Sequence, residues 1–259
     1  MGAFKAIADR DILGIRVKSL GWTEALDELE RGLAGDEPQR IVNFLNANNA
    51  NMAMRDPTYR SGLSRSQVLP DGIGIDIASR ALHGRPFPAN LNGTDLVPAL
   101  LVRVSRPLRV ALVGARPDVL ARATANFSVL MPWHHFTAVS DGYFDRAESA
   151  RVLERLAELA PDITLVAMGS PAQEIWIDGH IGAGHGRLVV GVGALFDFIS
   201  GGVPRAPDLV REMRLEWLYR LSREPGRLWR RYVLGNPLFL FHVLRYKLGG
   251  HVSSSSPAS

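Results

Sequence analysis

The chain contains no cysteine, so neither a disulfide nor a thiolate metal site can form, as suits a reducing cytosol. It also lacks the H-E-x-x-H, P-loop and G-x-S-x-G motifs and any zinc-ligand spacing, which removes the common metalloprotease, NTPase and serine-hydrolase readings. Of its seven histidines only His134 and His135 are neighbours, and on a strand neighbours face opposite ways. Residues 1–16 have no apolar stretch of the kind a signal peptide carries, and the longest C-terminal apolar run, Leu238–Leu244, falls far short of the ~20 residues a membrane span needs. The expectation is therefore a cytoplasmic protein. Nothing in the pattern calls for a metal or a cofactor. Asp9-Arg10-Asp11 does fit a D-x-D metal pattern, but it precedes any convincing strand end and is set aside as chance.

What is present is a globular composition with a lopsided charge. Across 259 residues 46% are apolar, enough for a substantial core. The net charge is +4, yet residues 203–251 hold ten Arg or Lys against four acids, an excess of six that leaves the rest at −2. Basic residues in this end are interleaved with Trp217, Tyr219, Trp229, Tyr232, Phe239 and Phe241. Such a segment suits an anionic membrane surface, with a helical subdomain packed on the core as the alternative. Residues 252–259 read as a disordered tail. The division is then a core over 1–202, a basic appendage over 203–251 and the tail.

Strand-like runs alternate with helical periodicity throughout the core. An opening strand at Asp11–Val17 precedes a helix capped by Thr23; later strands are expected near Arg40–Leu45, Val68–Pro70, Leu108–Val113, Phe136–Val139, Ile163–Met168 and Leu188–Val192. The fold class is α/β: a Rossmann-like, largely parallel sheet with helices on both faces and ligands at the carboxyl ends of the strands. Those ends carry Asn46, Asp71, Gly114, Asp141 with Tyr143, Gln173 with Glu174, and Gly193. Gly114 starts a strand-glycine-helix passage friendly to phosphate, although the full G-x-G-x-x-G of a dinucleotide site is missing.

Asp71, within Leu69-Pro70-Asp71-Gly72-Ile73-Gly74, is the leading candidate for a general base. Asp before Gly is also an ordinary turn and cap pairing, and the segment alone leaves both readings open. Convergence with the other strand ends favours the cleft. Asn92-Gly93-Thr94-Asp95 offers further polar groups at a helix start, where Asp95 suits a cap. A carboxylate base, amide side chains and a basic end together describe transfer from a nucleotide-activated donor. A Rossmann-type NAD(P) oxidoreductase and a non-enzymatic basic module are the other classes, the second explaining the charge but not the strand-end residues.

The ordered set Leu69-Pro70-Asp71-Gly72-Ile73-Gly74, Asn92-Gly93-Thr94-Asp95-Leu96, Asp141-Gly142-Tyr143-Phe144, Gly169-Ser170-Pro171-Ala172-Gln173-Glu174, Gly191-Val192-Gly193, Phe196-Asp197, Gly201 with Arg205-Ala206-Pro207, and Glu216-Trp217-Leu218-Tyr219-Arg220 resembles the WecG/TagA/CpsF family of glycosyltransferases. The resemblance spans most of the chain. It implies an inverting, metal-independent transferase that takes a UDP-sugar donor and a lipid-diphosphate-linked sugar acceptor at the inner leaflet of the cytoplasmic membrane. No nucleic acid is implied, and homo-oligomerisation is left open. On this resemblance Asp71 is the base, Asn46 and Gln173 bind substrate, and Arg220, Arg227 and Arg230 hold the acceptor diphosphate. Many relatives carry Glu-Arg before the G-x-D-L motif, where this chain has Ala89-Asn90 followed by Leu91. That variant looks like the xanthan-type β-1,4-glucosyltransferase branch of exopolysaccharide assembly, which implies glucose as donor sugar; the alternative is transfer of N-acetylmannosamine or its uronate.

Overall fold

A computed structural model describes residues 8–34, 37–207, 210 and 216–250, with Arg146 and Arg227 described by backbone alone. The tail expected at 252–259 lies outside the described residues.

Six strands form one parallel sheet: β3 (Arg40–Leu45), β4 (Gln67–Pro70), β5 (Arg109–Gly114), β6 (His135–Ser140), β7 (Ile163–Ala167) and β8 (Leu188–Gly191), in the order β4-β3-β8-β7-β5-β6. β5 and β7 are almost wholly apolar, as strands covered on both faces must be. The expected single strand at 11–17 is instead a hairpin, β1 (Arg10–Ile12) and β2 (Ile15–Val17), in which Leu13 and Gly14 both take positive φ at the two-residue turn. A strand pattern does not reveal such a reversal when only one residue of the turn is glycine. The following helix, α1 (Trp22–Gly32), is capped by Gly21, whose amide donates to Glu24 Oε2 at 2.7 Å; Thr23 lies inside it.

Helices α1, α5 (Gly93–Arg103), α6 (Pro117–Leu130) and α9 (Leu195–Ile199) cover one face, over Val42, Phe44, Val110, Leu112, Leu165 and Val190. The other face is covered by α7 (Ser149–Leu159) and α8 (Ala172–His180) above Val113, Val166 and Val189. Over β3 and β4 it is closed by α2 (Ala47–Ala53), α3 (Pro57–Ser64) and α4 (Ile73–His83).

The basic end forms α10 (Glu216–Arg223), α11 (Pro225–Trp229), a π-helical turn at 230–234 and α12 (Gly235–Leu248). Helix α12 belongs to the core as much as to the surface. Phe239 and Val243, four residues apart and so on one face, are buried against α2 and α4. Asn51 Nδ2 donates to Gly235 O at 2.7 Å and Tyr246 Oη to Asp11 Oδ1 at 2.8 Å, so both ends of α12 are tied down. Its opposite face leaves Leu240, Phe241, Leu244 and Leu248 exposed, continuing from Val233 and Leu234. No helix among the described residues is long and apolar enough to cross a membrane.

Candidate functional site

Asp71 is the first residue past β4, and the chain around it is fastened at three consecutive positions. Pro70 O accepts from Leu91 N at 2.9 Å, Asp71 N donates to Leu45 O at 2.9 Å, and Gly72 N donates to Asn90 Oδ1 at 2.7 Å. Gly72 has φ +87°, a conformation a side chain resists, and caps α4 with its backbone alone. The Asp71 carboxylate is thereby projected from a rigid corner rather than from a loose loop.

Asn46 is the first residue past β3, the neighbouring strand. Its Oδ1 accepts from Asn49 N at 3.0 Å, capping α2, which leaves Nδ2 to donate to Asp71 Oδ2 at 3.2 Å. Burial pushes the Asp71 carboxyl above the usual carboxylate range, the Asp95 charge adds to the rise, and the Asn46 bond with the charges of Arg231 and Arg220 oppose it. The appendage therefore reaches the strand end, with α10 contributing Arg220 and the π-helical turn Arg231. A half-buried carboxylate with elevated proton affinity, in the field of two guanidiniums, is equipped to take a proton from a hydroxyl beside a phosphorylated group.

The start of α5 forms the next wall. Asn92, not Asp95, caps it, accepting from Asp95 N at 2.9 Å and Thr94 Oγ1 at 2.6 Å, while its Nδ2 donates to Asp95 Oδ2 at 2.8 Å. Asp95, three residues into the cap box, turns its other oxygen to Arg205.

Gln173 and Glu174 are at the start of α8 but nearly inaccessible, 3% and 1% exposed. Gln173 Oε1 accepts from Gly193 N at 3.2 Å and its Nε2 donates to Glu174 Oε1 at 3.0 Å; Ser170 Oγ donates to the same oxygen at 2.6 Å. Burial raises the Glu174 carboxyl against these bonds. Gln173, Glu174 and Gly193 thus brace the exits of β7 and β8, while Glu174 Oε2 is buried without a hydrogen-bond partner among the described residues.

Other expected members are placed elsewhere. Gly114, φ +123°, is packed on β7: a Cβ there would stand 2.4 Å from Ala167 O, so this glycine serves strand contact rather than an open phosphate loop. Asp141 Oδ1 accepts from Tyr143 N at 2.8 Å in a local turn, and Tyr143 is 75% exposed. Both follow β6, five strand positions from β4, or about 24 Å at ~4.8 Å per strand. They do not meet Asp71, because sequence shows that each follows a strand but not how the strands are ordered. Arg230 is exposed, its guanidinium 5.5 Å from the Trp229 ring, and its neighbour Arg231 acts on Asp71 instead. The Arg227 side chain lies outside the described residues.

Four contributors carried no site role in the sequence: Asn90, Arg205, Glu216 and Arg231. The double arginine at 230–231 marked the spot, but the π-helical turn decides which arginine faces inward.

A sequence profile described as the glycosyl transferase WecG/TagA/CpsF family matches residues 10–253. The chain belongs to that family. It is 35% identical over 197 residues, 75% of each chain, to an N-acetylglucosaminyldiphosphoundecaprenol N-acetyl-beta-D-mannosaminyltransferase of Bacillus spizizenii. It is 32% identical over 225 residues, 86% of each chain, to a protein of the same name from Bacillus subtilis. This WecG/TagA/CpsF member is an α/β glycosyltransferase. Both relatives are named as N-acetylmannosaminyltransferases, so the likeness runs to transferases of an N-acetylated sugar, the alternative reading, and not specifically to the expected glucosyl-transferring exopolysaccharide branch.

Proposed function

We propose that the enzyme transfers N-acetylmannosamine from a UDP-linked donor to an N-acetylglucosaminyl-diphospho-polyprenol, with inversion and without a bound metal. The observation that carries this is the Asp71 carboxylate, fixed by Asn46 and overlooked by Arg220 and Arg231. The donor and acceptor are taken from the two relatives' names.

In the reaction an acceptor hydroxyl oxygen attacks C1 of the donor sugar. Its proton passes to Asp71 as the C1–O bond to UDP breaks and the bonding electron pair leaves with the diphosphate. Arg220 and Arg231 pair with the diphosphate of the lipid acceptor, holding its sugar hydroxyl at Asp71. Asn46 holds Asp71 in orientation. The exposed apolar row on α12, with Arg245 and Lys247 beside it, rests on the anionic inner leaflet and keeps the site close to the lipid diphosphate.

The deciding experiment measures UDP release from a panel of UDP-sugars with N-acetylglucosaminyl-diphospho-polyprenol as acceptor. Turnover with UDP-N-acetylmannosamine supports the proposal. Turnover confined to UDP-glucose would restore the glucosyl reading favoured by Asn90.

A further inference from the structure

We infer that Arg205 and Glu216 are positioning residues that seat α10 on the core and so bring Arg220 to Asp71. This goes beyond the proposed reaction, which requires a cation beside Asp71 but no particular seat for it.

Arg205 precedes α10 and is anchored to the core three ways. Its guanidinium pairs with Asp95 Oδ1 at 2.5 Å, donates to Thr94 O at 3.1 Å, and lies 4.9 Å from the centre of the Phe198 ring on α9. The remaining nitrogen, Nε, stands 3.3 Å from Glu216 Oε1, on the first residue of α10. Arg220 follows Glu216 by four residues, one helical turn, so the two share a face. Its guanidinium rests 5.4 Å from the centre of the same Phe198 ring. One half-buried aromatic of α9 therefore carries two guanidiniums, Arg205 from before α10 and Arg220 from within it.

Two cations gathered at one ring repel each other unless an anion accompanies them. Glu216 supplies that anion: burial pushes its carboxyl above the usual carboxylate range, and the charges of Arg205 and Arg220 pull it back toward the ionised form. Among the described residues the acids Asp71, Asp95 and Glu216 lie with the cations Arg205, Arg220 and Arg231. Removing the Glu216 charge withdraws the attraction that draws α10 inward. Both members of the pair are about three-quarters covered, at 26% and 23% side-chain exposure, so solvent screens it far less than a surface ion pair. The Arg205 Nε to Glu216 Oε1 contact lacks hydrogen-bond alignment, and neither atom has another hydrogen-bond partner among the described residues. Its attraction is Coulombic, which makes an isosteric neutral residue a clean probe.

The first arm needs no substrate and so stands apart from the proposed reaction. Amide hydrogen exchange is compared for the full chain and for Glu216→Gln and Arg205→Ala. Residues 216–223 should exchange at least about 10-fold faster in both variants, while 239–246 in α12 keep their protection. Unchanged protection over 216–223 in both variants overturns the inference. The second arm is a double-mutant cycle with Arg220→Ala, read as kcat and as KM for each substrate. If Glu216 acts through Arg220, Glu216→Gln with Arg220→Ala is no slower than Arg220→Ala alone, and Glu216→Gln raises KM for the lipid acceptor more than for the UDP-sugar. Multiplying losses, or equal rises in both KM values, would show a role independent of Arg220 and refute the positioning role.

Discussion

The side-chain amide of Asn46 donates to Asp71 Oδ2 at 3.2 Å, so the residue that caps one helix also restrains the carboxylate of the adjacent strand end. This bond favours the charged form of Asp71, in opposition to burial. Asn46→Ala removes it, and the acidic limb of the kcat/KM profile should move to higher pH. An unmoved limb, with the fold intact by circular dichroism, would separate Asp71 from the titration that controls rate.

Asp71→Asn removes the proton acceptor and preserves the shape. The proposed chemistry then loses on the order of 10²–10⁴-fold in kcat while UDP-sugar binding by calorimetry changes little. Stability should move the other way. The folded Asp71 binds its proton more tightly than an unfolded aspartate does, so its contribution is fully present below the unfolded value and is lost as pH rises through the folded one. At neutral pH the ionised, half-buried group is a liability, and the Asn variant should melt higher than the parent. A lower Tm would show that ionised Asp71 is a net stabiliser.

Phe239 is fully buried against α2 and α4, within van der Waals reach of the Gly74 position in α4. Phe239→Ala should cost about 3–5 kcal/mol in denaturant unfolding. For the same reason a truncation after Gly202, the obvious way to remove a basic appendage, uncovers core and is a poor test of membrane contact.

That test belongs to the outer face of α12. Phe241 and Leu244 are 58% and 55% exposed, so replacing both with serine spares the core. Sedimentation with anionic vesicles should weaken by at least about 10-fold, from ~1.5–3 kcal/mol for burying each large apolar side chain, while Tm stays put. Undiminished vesicle binding would move the membrane contact elsewhere.

The parallel sheet was legible because strands such as Val110–Val113 and Leu188–Val190 are continuous apolar runs separated by helical periodicity. Asp71 and Asn46 were legible because strand-end chemistry depends on local order in the chain. The strand order was not, and with it went the separation of Asp141 and Tyr143 from the cleft. Nor was the inward turn of Arg231, which depends on one extra residue in a helical turn. The basic end looked like a surface because Phe239 and Leu240 are adjacent in sequence yet about 100° apart around α12, one in the core and one in solvent. Composition averages those faces; only the packing partner distinguishes them.

The docking of α12 across α2 and α4 also sets an order of assembly during synthesis. Asp71 and its strand leave the ribosome long before residues 216–248, so the nascent chain carries the acid without Arg220, Arg231 or the Phe239 plug. Throughout that interval the carboxylate has no cations over it and the neighbouring helices lack their cover. Until α12 is translated, the groove that Phe239 fills on α2 and α4 stays open to solvent.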